Sequence, residues 1–328
     1  MTAISKDTAL LDKLITTGRA WAAGDEPQLK YAHAFVLGKL CAEAEKTAAT
    51  VEFYRHALKA RPAVAAALYD ELGEYLLIQR KYDAAAGIYE EAIANPNIAG
   101  AKPNFLFRIS QAYEFGGQTE KALKAIREAR QIIPTLPLLH YQEGWVHYHS
   151  KQYAEAIKVF EEVIKKHPQS DEIVKRCRFS LSNIYVQQGN LKKGEEVLEE
   201  VYKSDPDDPG VNNDLGYLYA DHGKHLDRAE GMIRKALKAE PDNSAYLDSM
   251  GWVLYKRAKY KAAIPHLQKA VNSSTGGDAT IWDHLGDVQS KLKQLDKAKK
   301  SWEKALEEAR KDIPLDEELI KKIEQKLK

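Results

Sequence analysis

Three histidines crowd one stretch of the chain, His140, His147 and His149 in LLHYQEGWVHYHS, and metal binding is the chemistry such a cluster suggests. On a helix, zinc-binding pairs stand three or four residues apart, so that both rings leave the same face. His147 and His149 are two apart and leave different faces, while His222 and His225 have the better spacing but straddle a glycine in DHGKH. No metal site is expected. Nucleophilic catalysis has two thiols to draw on. Cys177 lies between Arg176 and Arg178, whose charge could lower its pKa, whereas Cys41 falls in an apolar helix pattern that predicts burial. Neither has an evident base. The chain contains no GxSxG, HExxH, GxxxxGK[ST] or GxGxxG, and acidic pairs such as Glu195 and Glu196 read as solvated helix faces. The expectation is a non-enzymatic protein without cofactor.

Composition narrows the class further. The 328 residues are 44% hydrophobic and 30% charged, enough apolar surface for a sizeable core and against wholesale disorder. Lys and Arg total 49 against 48 Asp and Glu, a formal charge of +1, so no global field draws the chain to nucleic acid or to an anionic membrane. The two cysteines stand 136 positions apart without a CxxC, which removes a disulfide scaffold and suits a reducing compartment. No run approaches the ~18 apolar residues of a membrane span. MTAISKDTALLDKL is not a secretory signal, so the sequence as given reads as cytoplasmic; with an export signal removed it would read as periplasmic or envelope-associated.

The elements that must position any site come from self-similarity. A small residue recurs at Gly38, Gly73, Ser110, Gly144, Ser182, Gly216, Gly251 and Gly286, at intervals of 35, 37, 34, 38, 34, 35 and 35. Other residues keep step with it. Twelve positions on come Ala85, Ala122, Ala156, Gly194, Ala263 and Ala298; sixteen on come Tyr54, Tyr89, Ile126, Phe160, Leu198, Leu267 and Trp302; twenty-four on come Pro62, Pro134, Pro168 and Pro206. Small residues at facing sites let two antiparallel helices cross closely, a bulky one fills the space beside them, and proline stops the second helix. Each hairpin leaves one face apolar, which stacking on its neighbours buries.

This pattern resembles the tetratricopeptide repeat, whose small residues at repeat positions 8, 20 and 27, aromatic at 24 and proline at 32 correspond to those residues. The resemblance covers residues 31–310, with repeats starting near 31, 66, 103, 137, 175, 209, 244 and 279. It implies an all-α, right-handed superhelical solenoid of helix hairpins. NNDLGYLYAD and YLDSMGWVLYKRAKYKAAIPHLQKA look like bacterial members of the family. Residues 5–23 read as an extra N-terminal helix, through Leu10, Leu11, Leu14, Ile15 and Trp21. Residues 314–328 read as a capping helix with Leu319, Ile320, Ile323 and Leu327 inward. Loops are expected at 95–103 and 167–172, and the Ser/Gly stretch 272–280 is expected to be the most mobile link.

In this family the first helix of each hairpin lines a concave surface, at repeat positions 2, 5, 6, 9, 12 and 13. Those positions hold Tyr141, Trp145, Tyr148, Phe179, Tyr217, Trp252 and Tyr255, expected as an aromatic strip, with ten acids that include Asp70, Glu74, Asp214, Asp248 and Asp283 against five bases. Chaperone-binding members hold a C-terminal carboxylate with Lys, Asn and Arg at set positions. Asn183 meets one of these, but Phe179, Asp214, Ala245 and Ser249 occupy others, so that clamp is absent. The expected partner is a protein or peptide segment with apolar or aromatic residues flanked by Lys or Arg, with no nucleic acid, because an acidic groove repels phosphate. The alternative is that the repeats are a docking or regulatory part of a larger enzyme or of an envelope-assembly complex.

Overall fold

The computed structural model describes residues 2–23, 28–273, 277–311 and 315–328. Among these the ordered elements are all helical. Two helices, α1 (Thr2–Lys6) and α2 (Thr8–Ala23), precede the hairpins. The hairpins are α3 (Tyr31–Glu43) with α4 (Thr47–Ala60), α5 (Ala65–Ile78) with α6 (Tyr82–Ala94), α7 (Lys102–Phe115) with α8 (Thr119–Ile132), and α9 (Pro137–His149) with α10 (Tyr153–Lys166). There follow α11 (Asp171–Gln187) with α12 (Leu191–Ser204), α13 (Pro209–Asp221) with α14 (Leu226–Ala239), α15 (Ser244–Lys256) with α16 (Tyr260–Val271), and α17 (Ala279–Lys291) with α18 (Leu295–Ala309). The last helix is α19 (Glu317–Lys326). Helix α11 begins one turn ahead of position 175, because Asp171 and Glu172 supply the acidic first turn that a helix N-terminus favours.

The repeating residues explain the repeating geometry. A Cβ at Gly73 would stand 2.3 Å from the Tyr89 ring, and one at Gly251 2.4 Å from Leu267, so the first helix carries no side chain where the second presents its bulkiest. Where serine replaces glycine, its hydroxyl is satisfied nearby: Ser110 Oγ donates to the Phe107 carbonyl at 2.7 Å and Ser182 Oγ to that of Gly194 at 2.9 Å. Ala85, Ala122, Ala156, Ala263 and Ala298 are fully buried, as are Tyr89, Ile126, Phe160 and Leu267.

The chain divides into two compact units, residues 1–159 and 160–328. In the first, a continuous core runs from Leu11 and Ile15 through Phe53, Leu72 and Tyr89 to Ile126 and Leu139. Helix α2 joins it through Leu11, Ile15 and Gly18, while Leu10 and Trp21 face outward. In the second, Leu215, Ile233, Val253, Leu267 and Val288 form the main core, and Ile323 of α19 closes a smaller one with Ala305 and Ala309. The stretch 95–103 is not a plain loop: Pro96–Ala101 forms a 3-10 helix that leads into α7, its start held by Asn95, whose side chain accepts from the Asn97 N–H at 3.0 Å. Of the stretch 272–280, expected to be the most mobile link, residues 274–276 lie outside those described.

Candidate functional site

The histidines are packing groups. Nε2 of the buried His140 bonds the Pro134 carbonyl at 2.7 Å, Nδ1 of the buried His147 bonds Gln152 at 2.7 Å, and His222 bonds the Leu218 carbonyl at 2.9 Å. Among the described residues no group of three or more His, Cys, Asp or Glu is arranged to hold a metal ion, and no helix is long and apolar enough to cross a membrane. Both thiols are buried. Burial pushes Cys41 up to about 11 and Cys177 up to about 12, so the flanking arginines do not activate Cys177; Arg176 pairs instead with Glu172 at 3.1 Å and Arg178 with Glu200 at 3.7 Å.

The first unit holds Tyr141, Trp145 and Tyr148 on α9, all half-buried. Trp145 stacks on His149 with centroids 5.0 Å apart and meets the edge of Phe115 at 5.4 Å, and the His149 Nδ1 lies 3.3 Å from the buried Glu114. Of the acids expected here, Asp70 pairs with Arg108 at 3.0 Å beside a cavity of about 490 Å³, whereas Glu74 is exposed.

In the second unit the first helices of four hairpins, α11, α13, α15 and α17, wall a cavity of about 360 Å³. Asn183, Asp214, Tyr217 and Asp248 line it, together with Asp221 and Asp278. Phe179 stands nearby against the start of α13, where a Cβ on Gly210 would lie 3.7 Å from its ring. Trp252 is buried rather than offered to a ligand: its indole stacks on His284 at 3.9 Å and on Tyr255 at 4.8 Å, and its Nε1 donates to Asp221 at 2.9 Å. His284 in turn bonds both Asp248 oxygens, at 2.9 and 3.1 Å, in a buried pair.

Charge in this cavity is unevenly compensated. Burial opposes ionisation of Asp221, but the Trp252 indole and the Lys256 ammonium outweigh it and hold its pKa below the usual carboxylate range. Burial raises the Tyr217 phenol, with Asp221 and Asp248 adding to the effect, and raises Asp278. Asp214 is pushed up to about 6, by burial first and by Asp208 second, against the hydrogen bond from Asn213. Asp283 is no groove acid. It is 1% exposed beneath α19, where Lys326 reaches it at 2.7 Å and Lys322 at 3.2 Å; Lys326 also reaches Asp287 at 2.6 Å. These two lysines lie outside the repeats, and a charge count over repeat positions omits them.

Sequence models of the tetratricopeptide repeat match residues 71–137, 147–209, 185–252 and 279–312. The chain belongs to the tetratricopeptide repeat family. A TPR repeat-containing protein of Pseudomonas aeruginosa is 28% identical over 172 residues, 52% of this chain and 28% of that protein. The mitochondrial import receptor subunit TOM70 of Homo sapiens is 26% identical over 162 residues, 47% of this chain and 26% of the receptor subunit. The chain thus spans about a quarter of the length of these curated relatives. The fold is shared with a tetratricopeptide repeat protein from Parabacteroides merdae, at a TM-score of 0.57 and 12% identity over 80% of this chain and 98% of that one.

Reasoning from repeat positions names Asp214, Tyr217 and Asp248 but passes over Asn213, Asp278 and His284. The available signal was polarity out of place, since Asn213 and His284 stand at inner positions of first helices where a packed hairpin spends apolar residues.

Proposed function

We propose that this tetratricopeptide chain is a non-enzymatic protein-interaction scaffold that takes an extended or helical segment of a partner protein on the face made by its first helices. The observation that carries the reading is the cavity shared by α11, α13, α15 and α17. A wall drawn from four successive hairpins meets a bound segment over several residues, which repeat proteins use for recognition. In the second unit Phe179, Asn183 and Tyr217 make the partner contacts, with Asp214 facing its cations; in the first unit, taken by itself, Tyr141, Tyr148 and Glu74 offer a surface of the same kind. Trp252, Tyr255, Asp248 and Asp283 hold the wall, because their partners lie within the chain. The partner segment carries apolar or aromatic residues flanked by Lys or Arg.

A second reading draws on the chain spanning about a quarter of its curated relatives: the repeats act as the docking or regulatory part of a larger enzyme or assembly system. It requires the same groove.

The test is selection of binders from a random peptide library displayed on phage. Tyr217→Ala is expected to weaken the selected peptides by ~10-fold or more, mainly through faster dissociation, as for a partly desolvated aromatic anchor. Lys192→Glu, on the exposed surface of the second helix α12, is expected to leave them unchanged. Selected peptides that bind Tyr217→Ala and Asn183→Ala as tightly as the parent chain would place recognition elsewhere.

A further inference from the structure

In the second unit, cations at the start of one second helix are matched by acids of the second helix before it. These helices keep a small residue in register, Gly194 in α12, Ala229 in α14, Ala263 in α16 and Ala298 in α18. One residue after it, Glu195 reaches Lys224 at 2.8 Å and Glu230 reaches Lys259 at 3.0 Å; five after it, Glu199 reaches Arg228 at 2.9 Å. In α16 those two places hold Ile264 and Gln268, and the whole helix contains no acid. The hairpin of α17 and α18, which packs on α16, nevertheless keeps its cations: Lys297 directly precedes Ala298, as Arg228 precedes Ala229. Lys261, Lys291, Lys293, Lys297, Lys299 and Lys300 are all exposed, and among the described residues none lies at ion-pair distance from an acid. Asp296 is the one acid within residues 291–300. Leu295 stands among these lysines and is 65% exposed, whereas Leu191, Leu226 and Tyr260, each also the first residue of a second helix, are half-buried against the core.

We infer that the edge made by the turn of α17 and α18 with the starts of α16 and α18 is a surface that rests on an anionic lipid bilayer. The formal charge of +1 over the whole chain conceals it, because a near-neutral total says nothing of where acids are missing. Cations left without acids and spread over two hairpins suit a partner whose negative charge is itself spread over a plane, with headgroups that move to meet each ammonium. All six are lysines, compact point charges; the planar arginine fork that takes a single carboxylate or phosphate through two parallel bonds is missing from the set. Leu295 decides between a bilayer and a soluble polyanion. An exposed leucine gains little against a phosphate backbone or a row of carboxylates, whereas beside lipid headgroups it enters the boundary of the acyl chains. The contact is peripheral, since among the described residues no helix is long and apolar enough to cross a membrane. None of the six lysines lines the cavity of α11, α13, α15 and α17, so membrane and partner segment do not compete for the same side chains.

The test is flotation of the whole chain with vesicles of phosphatidylcholine, alone or with about one third phosphatidylserine, at ionic strengths of ~0.05 M and ~0.5 M. The chain is expected to bind the anionic vesicles at least ~10-fold better than the neutral ones and to be released at the higher salt. Lys297→Glu with Lys300→Glu is expected to weaken this binding by ~10-fold or more, and Leu295→Ser by ~5-fold. Lys297→Gln with Lys300→Gln, which adds no acid, serves as a second variant, each variant being matched to the parent by circular dichroism. Lys124→Glu with Lys158→Glu makes the same change of charge on exposed second-helix lysines of the first unit and is expected to leave binding unchanged. Equal binding to both kinds of vesicle, equal loss from the two lysine pairs, or full binding by Leu295→Ser would each overturn the bilayer surface. Tighter binding of polyglutamate or of a single-stranded oligonucleotide than of the anionic vesicles, lost in Lys297→Gln with Lys300→Gln, would also overturn it and give the edge to an acidic protein or to nucleic acid.

Discussion

Asp214 works against the fold at neutral pH. Its pKa of about 6 in the folded chain lies above the ordinary 3.8, so the folded state holds its proton more tightly than the unfolded state does. The stability it contributes is full below pH ~4 and is lost as pH rises through about 6. Asp214→Asn keeps an oxygen for the Asn213 amide and removes the charge. The variant is expected to be more stable than the parent by about 3 kcal/mol at pH 7.5, with the difference fading below pH ~4, as measured by urea unfolding across that range. A difference independent of pH would mean that Asp214 is well solvated. This residue was legible in the sequence because a repeat position assigned it to the first-helix face. Trp252 had the same assignment, yet its indole is covered by His284 from the next repeat. Position within a repeat fixes the face of a helix, but the neighbour that shields a side chain depends on the residue one hairpin away.

At the scale of the element, the turn between the two helices repeats more faithfully than its sequence. Glu45, Arg80, Gly117, Lys151, Gly189, Gly223, Ala258 and Lys293 occupy the same position of the eight hairpins, and all have positive φ. The residue after each closes the turn by donating to a carbonyl five residues back: Lys46 to Cys41, Lys81 to Leu76 and Asn190 to Tyr185, each at 2.8 Å. This is the left-handed helix terminus that glycine favours, and five of the eight copies hold it with a residue that bears a Cβ. The hairpins and the family were readable from small, bulky and proline positions. The left-handed residue was not, because only three glycines mark it and packing of the two helices imposes the rest. Lys293→Gly is therefore expected to stabilise the chain by about 0.5–1 kcal/mol, the relief of strain less the entropy of glycine in the unfolded chain. Gly189→Ala, at φ +77 with open space around it, is expected to cost about 1 kcal/mol. Thermal unfolding of both variants checks the pair, and opposite signs are required.

On the scale of the whole molecule, a chain of net charge +1 neutralises several of the acids on its first helices locally. The final helix does this from outside the repeats. The spacing of Leu319, Ile320, Ile323 and Leu327 foretold an apolar face for α19, but nothing in that spacing tied Lys322 and Lys326 to Asp283 and Asp287, more than thirty-five residues away. Two kinds of stabilisation are therefore joined in one helix, and they can be separated. Removing residues 315–328 uncovers Ala305 and Ala309 and strips both lysines from the acids. Lys326→Gln keeps the apolar contacts and removes one charge, and Lys322 still faces Asp283. The truncation is expected to lower the melting temperature and to speed amide hydrogen exchange in α17 and α18, with α3 to α8 unchanged, because a repeat array draws its stability from nearest neighbours. Lys326→Gln is expected to cost less, about 1–2 kcal/mol, since one partner of a largely buried pair is lost while another remains. If the single substitution costs as much as the truncation, the helix acts through its charges and the apolar face contributes little; if it costs nothing, Asp283 is held by Lys322 and packing alone.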